Sequence, residues 1–412
     1  MAGPLSRSLG TTDAVLIGLG SMIGAGVFGA FAPAAAAAGG GLLIGLCVAG
    51  VVAYANATSS AQLAAAYPVS GGSYVYGRER LGPWWGYFAG WAFVVGKTAS
   101  CAAMALTFAA YVAPPACRAP VAVAAVVVLA AVNYLGVTRT ARATRIMVPI
   151  VLAVLAMVVV AIFSNGSGSV PVSVSLPHGW YGVAQSAGLL FFAFAGYARI
   201  ATMGEEVRDP ARAIPRAIVL ALGIALVVYL VVGVSLLLAL GPARLATSTA
   251  PLADAVRVAG WAWAAPVVRI GEAVAALDAL LALLAGIGRT SLAMARGGDL
   301  PGWLGAVHPR YHVPHRAEVA VAVVVCLLVI VVDLRGAIGF SSFGVLLYYL
   351  VANLSAFTQR GADRRYPRFV QVVGAVGCVG LAATLPWQSV VAGLGVLAAG
   401  LVFRLVRQTT VR

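Results

Sequence analysis

The stretch 18-GLGSMIGAG-26 lies inside an apolar run from 13 to 37 and puts four glycines and a serine near the middle of what would be a membrane helix. A break at this depth frees backbone amides and carbonyls in hydrocarbon, and such groups need a ligand or a polar cavity. A second run, 191-FFAFAGYARIA-201, is also an awkward helix interior, with Gly196 between aromatics and Arg199 three residues on. The two interruptions fall in the first and sixth apolar segments. That offset of five is the one expected when helices 1–5 and 6–10 are inverted-topology repeats with paired discontinuous helices. The same glycines also suit close helix packing of the small-xxx-small kind, as Gly20 and Gly24 would. Spacing alone leaves both readings open.

Outward from these runs, apolar segments read at 13–37, 42–66, 84–112, 119–136, 146–164, 181–203, 217–240, 264–295, 317–332, 337–358, 369–385 and 389–406. Of the 412 residues 62% are hydrophobic and only 9% charged, against roughly 25% charged in soluble domains. A soluble globular chain and a disordered one are both excluded. Twelve segments allot roughly 34 residues to each helix and its connection, enough for a spanning helix and a short loop. The expected fold is an all-α integral membrane protein of twelve transmembrane helices.

The net charge of +15 comes from 26 arginines and one lysine against twelve acids. Twenty arginines fall in the connections on the side of the termini and five on the other: Arg118, Arg244, Arg257, Arg269 and Arg335. By the positive-inside rule both termini face the cytoplasm, and the basic excess reports topology in a cytoplasmic membrane rather than nucleic-acid binding. Arg7 and the apolar stretch after it superficially resemble a signal peptide, but eleven later segments and the glycine-broken interior argue for a retained first helix. Cys47, Cys101, Cys117, Cys326 and Cys378 are odd in number and lack CxxC spacing, so they read as small apolar fillers. Asp209 and Pro210 read as N-cap and first helical position of the seventh helix. Between segments, 164–177 is a Ser/Gly/Pro loop and 242–260 is long enough for a short helical lid.

The runs GSMIGAGVF, 67-YPVSGGSYVYGRERLG-82, FFAF-G, 205-EEVRDPARAIPRAI-218 and 289-RTSLAMARGGDLP-301, taken in this order, resemble the amino acid–polyamine–organocation permeases. The resemblance covers residues 9 to 320 and implies the LeuT-type fold, a 5 + 5 inverted repeat plus two C-terminal helices. On that reading 1–12 is a cytoplasmic N-terminus, 13–164 the first repeat, 181–358 the second, 369–406 the last two helices and 407–412 a cytoplasmic tail. It also implies secondary transport of amino acids or related amines by alternating access. The substrate carboxylate would sit on exposed amides of the first break and its ammonium on carbonyls of both. By motif these are Ile23, Gly24, Ala25 and Gly26, with Phe191, Phe192, Ala193, Phe194 and Ala195. Helix N-termini attract anions and broken-helix carbonyls attract cations, in agreement with that assignment.

Proton-coupled members often carry a lysine in the fifth helix, whereas 146-IMVPIVLAVLA-156 has none. The chain's single lysine is Lys97, midway through the third segment, and Asp278 lies at similar depth in the eighth. A lone charge there costs about 2.5–3.5 kcal/mol on insertion scales, so each demands a partner or a watery cavity. Lys97 and Asp278 are therefore a candidate intramembrane pair. The pair is open to two readings: a coupling group that gains and loses a proton, or a static contact that fixes the scaffold. Arg199 and Arg289 read as snorkelling or inner-gate residues, and Glu205 and Glu206, near Arg208 and Arg212, as a gate or a solvated cluster. The histidines of 308-HPRYHVPH-315 are separated by prolines without acidic or cysteine partners, which argues against a metal site. No nucleophile elbow and no phosphate loop occur, so neither hydrolysis nor ATP-driven pumping is indicated, and no cofactor is implied. The function expected is proton-coupled or exchange transport of a small amino acid or amine. An amine or polyamine exporter, a substrate sensor and a membrane enzyme are the alternatives.

The arginine distribution makes a labelling prediction. Cysteines introduced at 167 or 247 should react with an impermeant thiol reagent from outside, and those at 213 or 363 should not; reversed accessibility would invert the topology.

Overall fold

A computed structural model describes residues 8–164, 176–331 and 334–410. Residues 1–7 with Arg7, most of the 164–177 loop with labelling position 167, and Arg412 lie outside them. Among the described residues the chain is helical with no strand; an isolated bridge joins Leu9 to Val207. Among the described residues nine helices are long and apolar enough to cross a membrane. Three more, Arg118–Tyr134, His315–Val331 and Arg368–Thr384, have 17 residues each, the lower limit for a span.

Local sequence sets several boundaries. Gly82, at φ 106°, turns the chain into Pro83–Val112, whose first residue lacks the amide that a helix leaves unpaired anyway. Asp209 occupies the N-cap position before Pro210, but in left-handed geometry (φ 45°) and without a side-chain capping bond. The device is thus a turn followed by proline rather than an Asx cap. Gly241, at φ 68°, kinks Pro210–Thr247 before Pro242, and the segment beyond it carries the short helix Pro251–Val258. Ser248 Oγ lies 2.7 Å from Asp254 Oδ2, tying the turn before that helix to its first turn.

Four of the five helix pairs that lie five apart in the series pack together. The first and sixth segments meet, Leu42–Ala66 packs on Pro210–Thr247, Pro83–Val112 on Ala265–Arg296, and Arg118–Tyr134 on His315–Val331. The first, third, sixth, eighth and tenth segments are mostly buried, whereas Thr140–Ser164 and Trp387–Arg407 are mostly exposed. The outer helices turn Val127, Val128, Ile146, Val227, Leu327, Ile330, Val376 and Val402 outward, a surface suited to lipid and not to water.

Where helices cross in the interior, small and polar residues hold them. A side chain at Gly96 of the third segment would stand 3.3 Å from Gly344 Cα of the tenth, and one turn away Ser100 and Ser341 share a hydroxyl hydrogen bond. Asn353 Nδ2 donates to Asn56 Oδ1 at 2.6 Å and Ser59 Oγ donates to Asn353 Oδ1 at 2.8 Å, joining the second and tenth segments. Such close approach and interhelical hydrogen bonding replace the hydrophobic drive that is absent inside a bilayer.

Candidate functional site

The first segment is three helical pieces, Thr11–Ile23, Ala25–Gly29 and Phe31–Ala38. The break is at Gly24, with φ −49° and ψ −136°, although its amide still reaches Gly20 O at 3.3 Å. In the sixth segment, Gly179–Phe194 tightens into a 3-10 turn at Ala195–Tyr197 and resumes as Ala198–Ala201. That interruption is a tightened turn rather than an unwound gap, because the Ala195 amide still bonds Phe191 O and Phe192 O.

The two interruptions touch. A Cβ on Gly26 would stand 2.6 Å from Ala193 Cα, and one on Gly196 would overlap the backbone of Ser21 and Met22. Side chains at Gly20 and Gly24 would overlap Asp278 and Ala279. These glycines therefore do serve close packing, and that packing brings the breaks together. The carbonyls at the junction receive side-chain donors from other helices. The Tyr229 hydroxyl lies 2.6 Å from Met22 O and 2.9 Å from Ala193 O, so its one proton is shared across both interruptions. Ala195 O accepts from the Lys97 ammonium and from the Tyr349 hydroxyl, each at 3.3 Å. Phe194 packs edge-on to Tyr229 and Tyr197 stacks on Tyr349, with centroids 5.0 and 4.8 Å apart. Ser21 Oγ is buried with no hydrogen-bond partner among the described residues.

Lys97 and Asp278 do not pair with each other. Both are buried, on helices that pack together, but they leave those helices on different faces. Lys97 turns to the sixth and tenth segments, whereas Asp278 turns to the first and fifth. Asp278 Oδ1 accepts from Thr144 Oγ1 at 2.7 Å, and its other oxygen has no partner among the described residues. It lines a small pocket with Gly20, Ile23, Gly24, Val148, Val151 and Ala275, of about 10 Å³, roughly the space of one water. Each intramembrane charge is thus apposed to a different interruption.

The charged groups beyond the sixth segment also pair otherwise than their spacing suggests. Glu205 pairs with Arg296 at 3.2 Å and accepts from the Ser70 amide, rather than meeting Arg208 or Arg212. Glu206 takes Arg289 Nη2 at 2.6 Å and Nε at 3.0 Å, with Arg199 Nη2 at 3.7 Å. Arg289 also reaches Glu318 Oε1 at 2.7 Å. Arg199 and Arg289 are wholly buried and do not snorkel, because the two carboxylates supply inside the bundle what water would supply outside it. This network bridges the sixth, eighth and ninth segments at the end of the bundle where Leu9 bonds to the 206–208 backbone. No local pattern in the sequence signals Glu318, which sits at a helix start 29 residues from Arg289. For Glu272, buried beside Tyr111 in the eighth segment, the only sequence signal is a carboxylate inside an apolar run.

Burial raises the Glu206 carboxyl, but the guanidiniums of Arg289 and then Arg199 more than reverse this and hold it below the usual carboxylate range. A depressed carboxyl contributes stability that is present at neutral pH and lost as pH falls through its folded-state value.

Known proteins share this chain's pattern. The amino acid permease family model matches residues 13–409, and the chain belongs to that family. It is 61% identical over 411 residues to a protein of Mycobacterium tuberculosis described as an uncharacterized transporter, covering 99% of this chain and 93% of that one. It is 27% identical to a branched-chain amino acid permease of Bacillus subtilis, covering 97% and 92%. To a methylthioribose transporter of the same organism it is also 27% identical, covering 86% and 79%.

The buried network predicts that Glu206→Gln, which leaves two guanidiniums facing one carboxylate, destabilises the protein by about 3–5 kcal/mol. The check is the thermal unfolding of purified protein. The difference from the parent should shrink as pH falls below the usual carboxylate range, and a pH-independent difference would assign the loss to packing instead.

Proposed function

We propose that this member of the amino acid permease family is a secondary active transporter. It carries an amino acid or a related small amine through a twelve-helix, LeuT-type scaffold by alternating access. The observation that carries the reading is the junction of two interrupted helices, with the Met22, Ala193 and Ala195 carbonyls turned to side-chain donors of other helices. Packing between helices five apart supports the inverted repeat of 13–164 and 181–358.

The substrate carboxylate is held on amides of Ile23, Gly24, Ala25 and Gly26, at the positive end of the helical run that begins at Ala25. The ammonium is held on carbonyls of the Phe191–Ala195 stretch. The work is binding and movement, with no bond made or broken in the substrate. Both termini face the cytoplasm, as the arginine bias favours. Arg199, Glu205 and Glu206, with Arg289 and Glu318, then form the cytoplasmic gate. Opening that side requires the sixth, eighth and ninth helices to part, and their charges give the closed arrangement a defined alternative to disperse from. Lys97 and Asp278 serve as coupling groups, each able to report its own break. Protonation of either one changes the charge facing an interrupted helix, which biases how the scaffold and the mobile helices fit.

Two predictions test this. Gly26→Ala places a methyl against the Ala193 backbone, so the junction must shift and ligand-dependent thermal stabilisation should be lost together with part of the protein's own thermal stability; ligand stabilisation retained in a protein of lowered stability would reduce the first-break glycines to packing residues. In proteoliposomes, Lys97→Ala and Asp278→Asn should each lose accumulation driven by a proton gradient while substrate exchange persists. Lys97→Arg should resemble Lys97→Ala, because arginine does not readily discharge. Proton-driven uptake unchanged in all three variants would leave both residues as static scaffold contacts.

A further inference from the structure

The interrupted sixth helix already holds a cation. The Lys97 ammonium sits 3.3 Å from Ala195 O, the acceptor it shares with Tyr349. Among the described residues no carboxylate lies within ion-pair distance of it. The buried acids are committed elsewhere: Asp13 to Arg145, Asp278 to Thr144, Glu206 and Glu318 to Arg289, and Asp299 to Arg78 and Arg404. Glu272 stands beside Tyr111. Among the described residues Lys97 is thus met by the Ala195 carbonyl and by no carboxylate, at the turn where the amine of a ligand would be received. The neighbouring acceptors, Met22 O and Ala193 O, already face a donor in Tyr229.

We propose that Lys97 is a specificity-determining residue, whose ammonium, when protonated as substrate enters, admits zwitterionic amino acids with uncharged side chains and rejects diamines, polyamines and amino acids with cationic side chains. A zwitterion brings its own carboxylate to the first break, so its ammonium and that of Lys97 share a site that also gains a negative charge. A ligand with net positive charge adds a further cation within a few ångströms of Lys97, where the dielectric is low and water does not screen it. The filter needs no proton transfer and operates in binding as well as in driven transport. It rests on the reading of the junction as the substrate site and narrows the substrate class within it.

The test uses full-length purified protein and ligand-induced thermal shift with three probes: norleucine, its charged near-isostere lysine, and putrescine. The parent protein should half-saturate with norleucine at a concentration at least about tenfold lower than with lysine, and putrescine should neither stabilise nor compete. Lys97→Met should bring norleucine and lysine within about threefold of each other, and Lys97→Arg should keep the gap. Equal affinity of the parent for norleucine and lysine, or a gap unchanged in Lys97→Met, would overturn the filter while leaving the transporter reading in place. Should Lys97→Met not fold, Lys97→Gln, which keeps a hydrogen-bond donor without the charge, takes its place with the same expected and overturning outcomes. Absence of binding by any amino acid would remove the substrate reading and the filter together.

Discussion

Two helices are interrupted in the membrane interior, and hydrocarbon offers nothing to the backbone groups that an interruption frees. The protein supplies the partners itself, from helices distant in sequence. Tyr229 of the seventh segment bridges Met22 O and Ala193 O, while Lys97 of the third and Tyr349 of the tenth converge on Ala195 O. Much of the architecture follows from that demand. The interruptions must lie against each other for one hydroxyl to serve both, which is why Gly26 meets Ala193 and Gly196 meets Ser21 with no space for a side chain.

The buried charges divide by how completely they are met. At one end of the bundle Arg199, Arg289, Glu206 and Glu318 form a set with two charges of each sign, linked by direct ion pairs. Removing one member exposes the others to a cost they do not bear as a set. Near the interruptions the opposite holds: Lys97 faces a carbonyl and Asp278 a threonine hydroxyl, neither with an opposite formal charge in ion-pair contact among the described residues. A matched network favours a fixed arrangement, and an unmatched charge responds to whatever enters beside it. In the transport cycle proposed above, that difference separates the proposed gate from the proposed coupling groups.

What the sequence determined by itself is what depends on neighbouring residues. Hydropathy marked the membrane helices, because burial in lipid requires unbroken apolar stretches. The glycines of 18–26 and 191–201 located both interruptions, because helix continuity is a property of a few consecutive residues; the sequence did not distinguish the hinge at Gly24 from the 3-10 turn at Ala195–Tyr197. The order of five motifs was enough to recognise the family. Tertiary structure alone decided who meets whom. Lys97 and Asp278 lie at similar depth on adjacent helices, yet the rotation of each helix about its own axis sends one to Ala195 and the other to Thr144. The turn after Ala201 took Glu206 to Arg289 instead of Arg208, and helix packing gave Glu318 and Tyr229 partners that no local pattern announced. Depth in the membrane is encoded along the chain, but the facing of a side chain is fixed only when the neighbouring helices have packed.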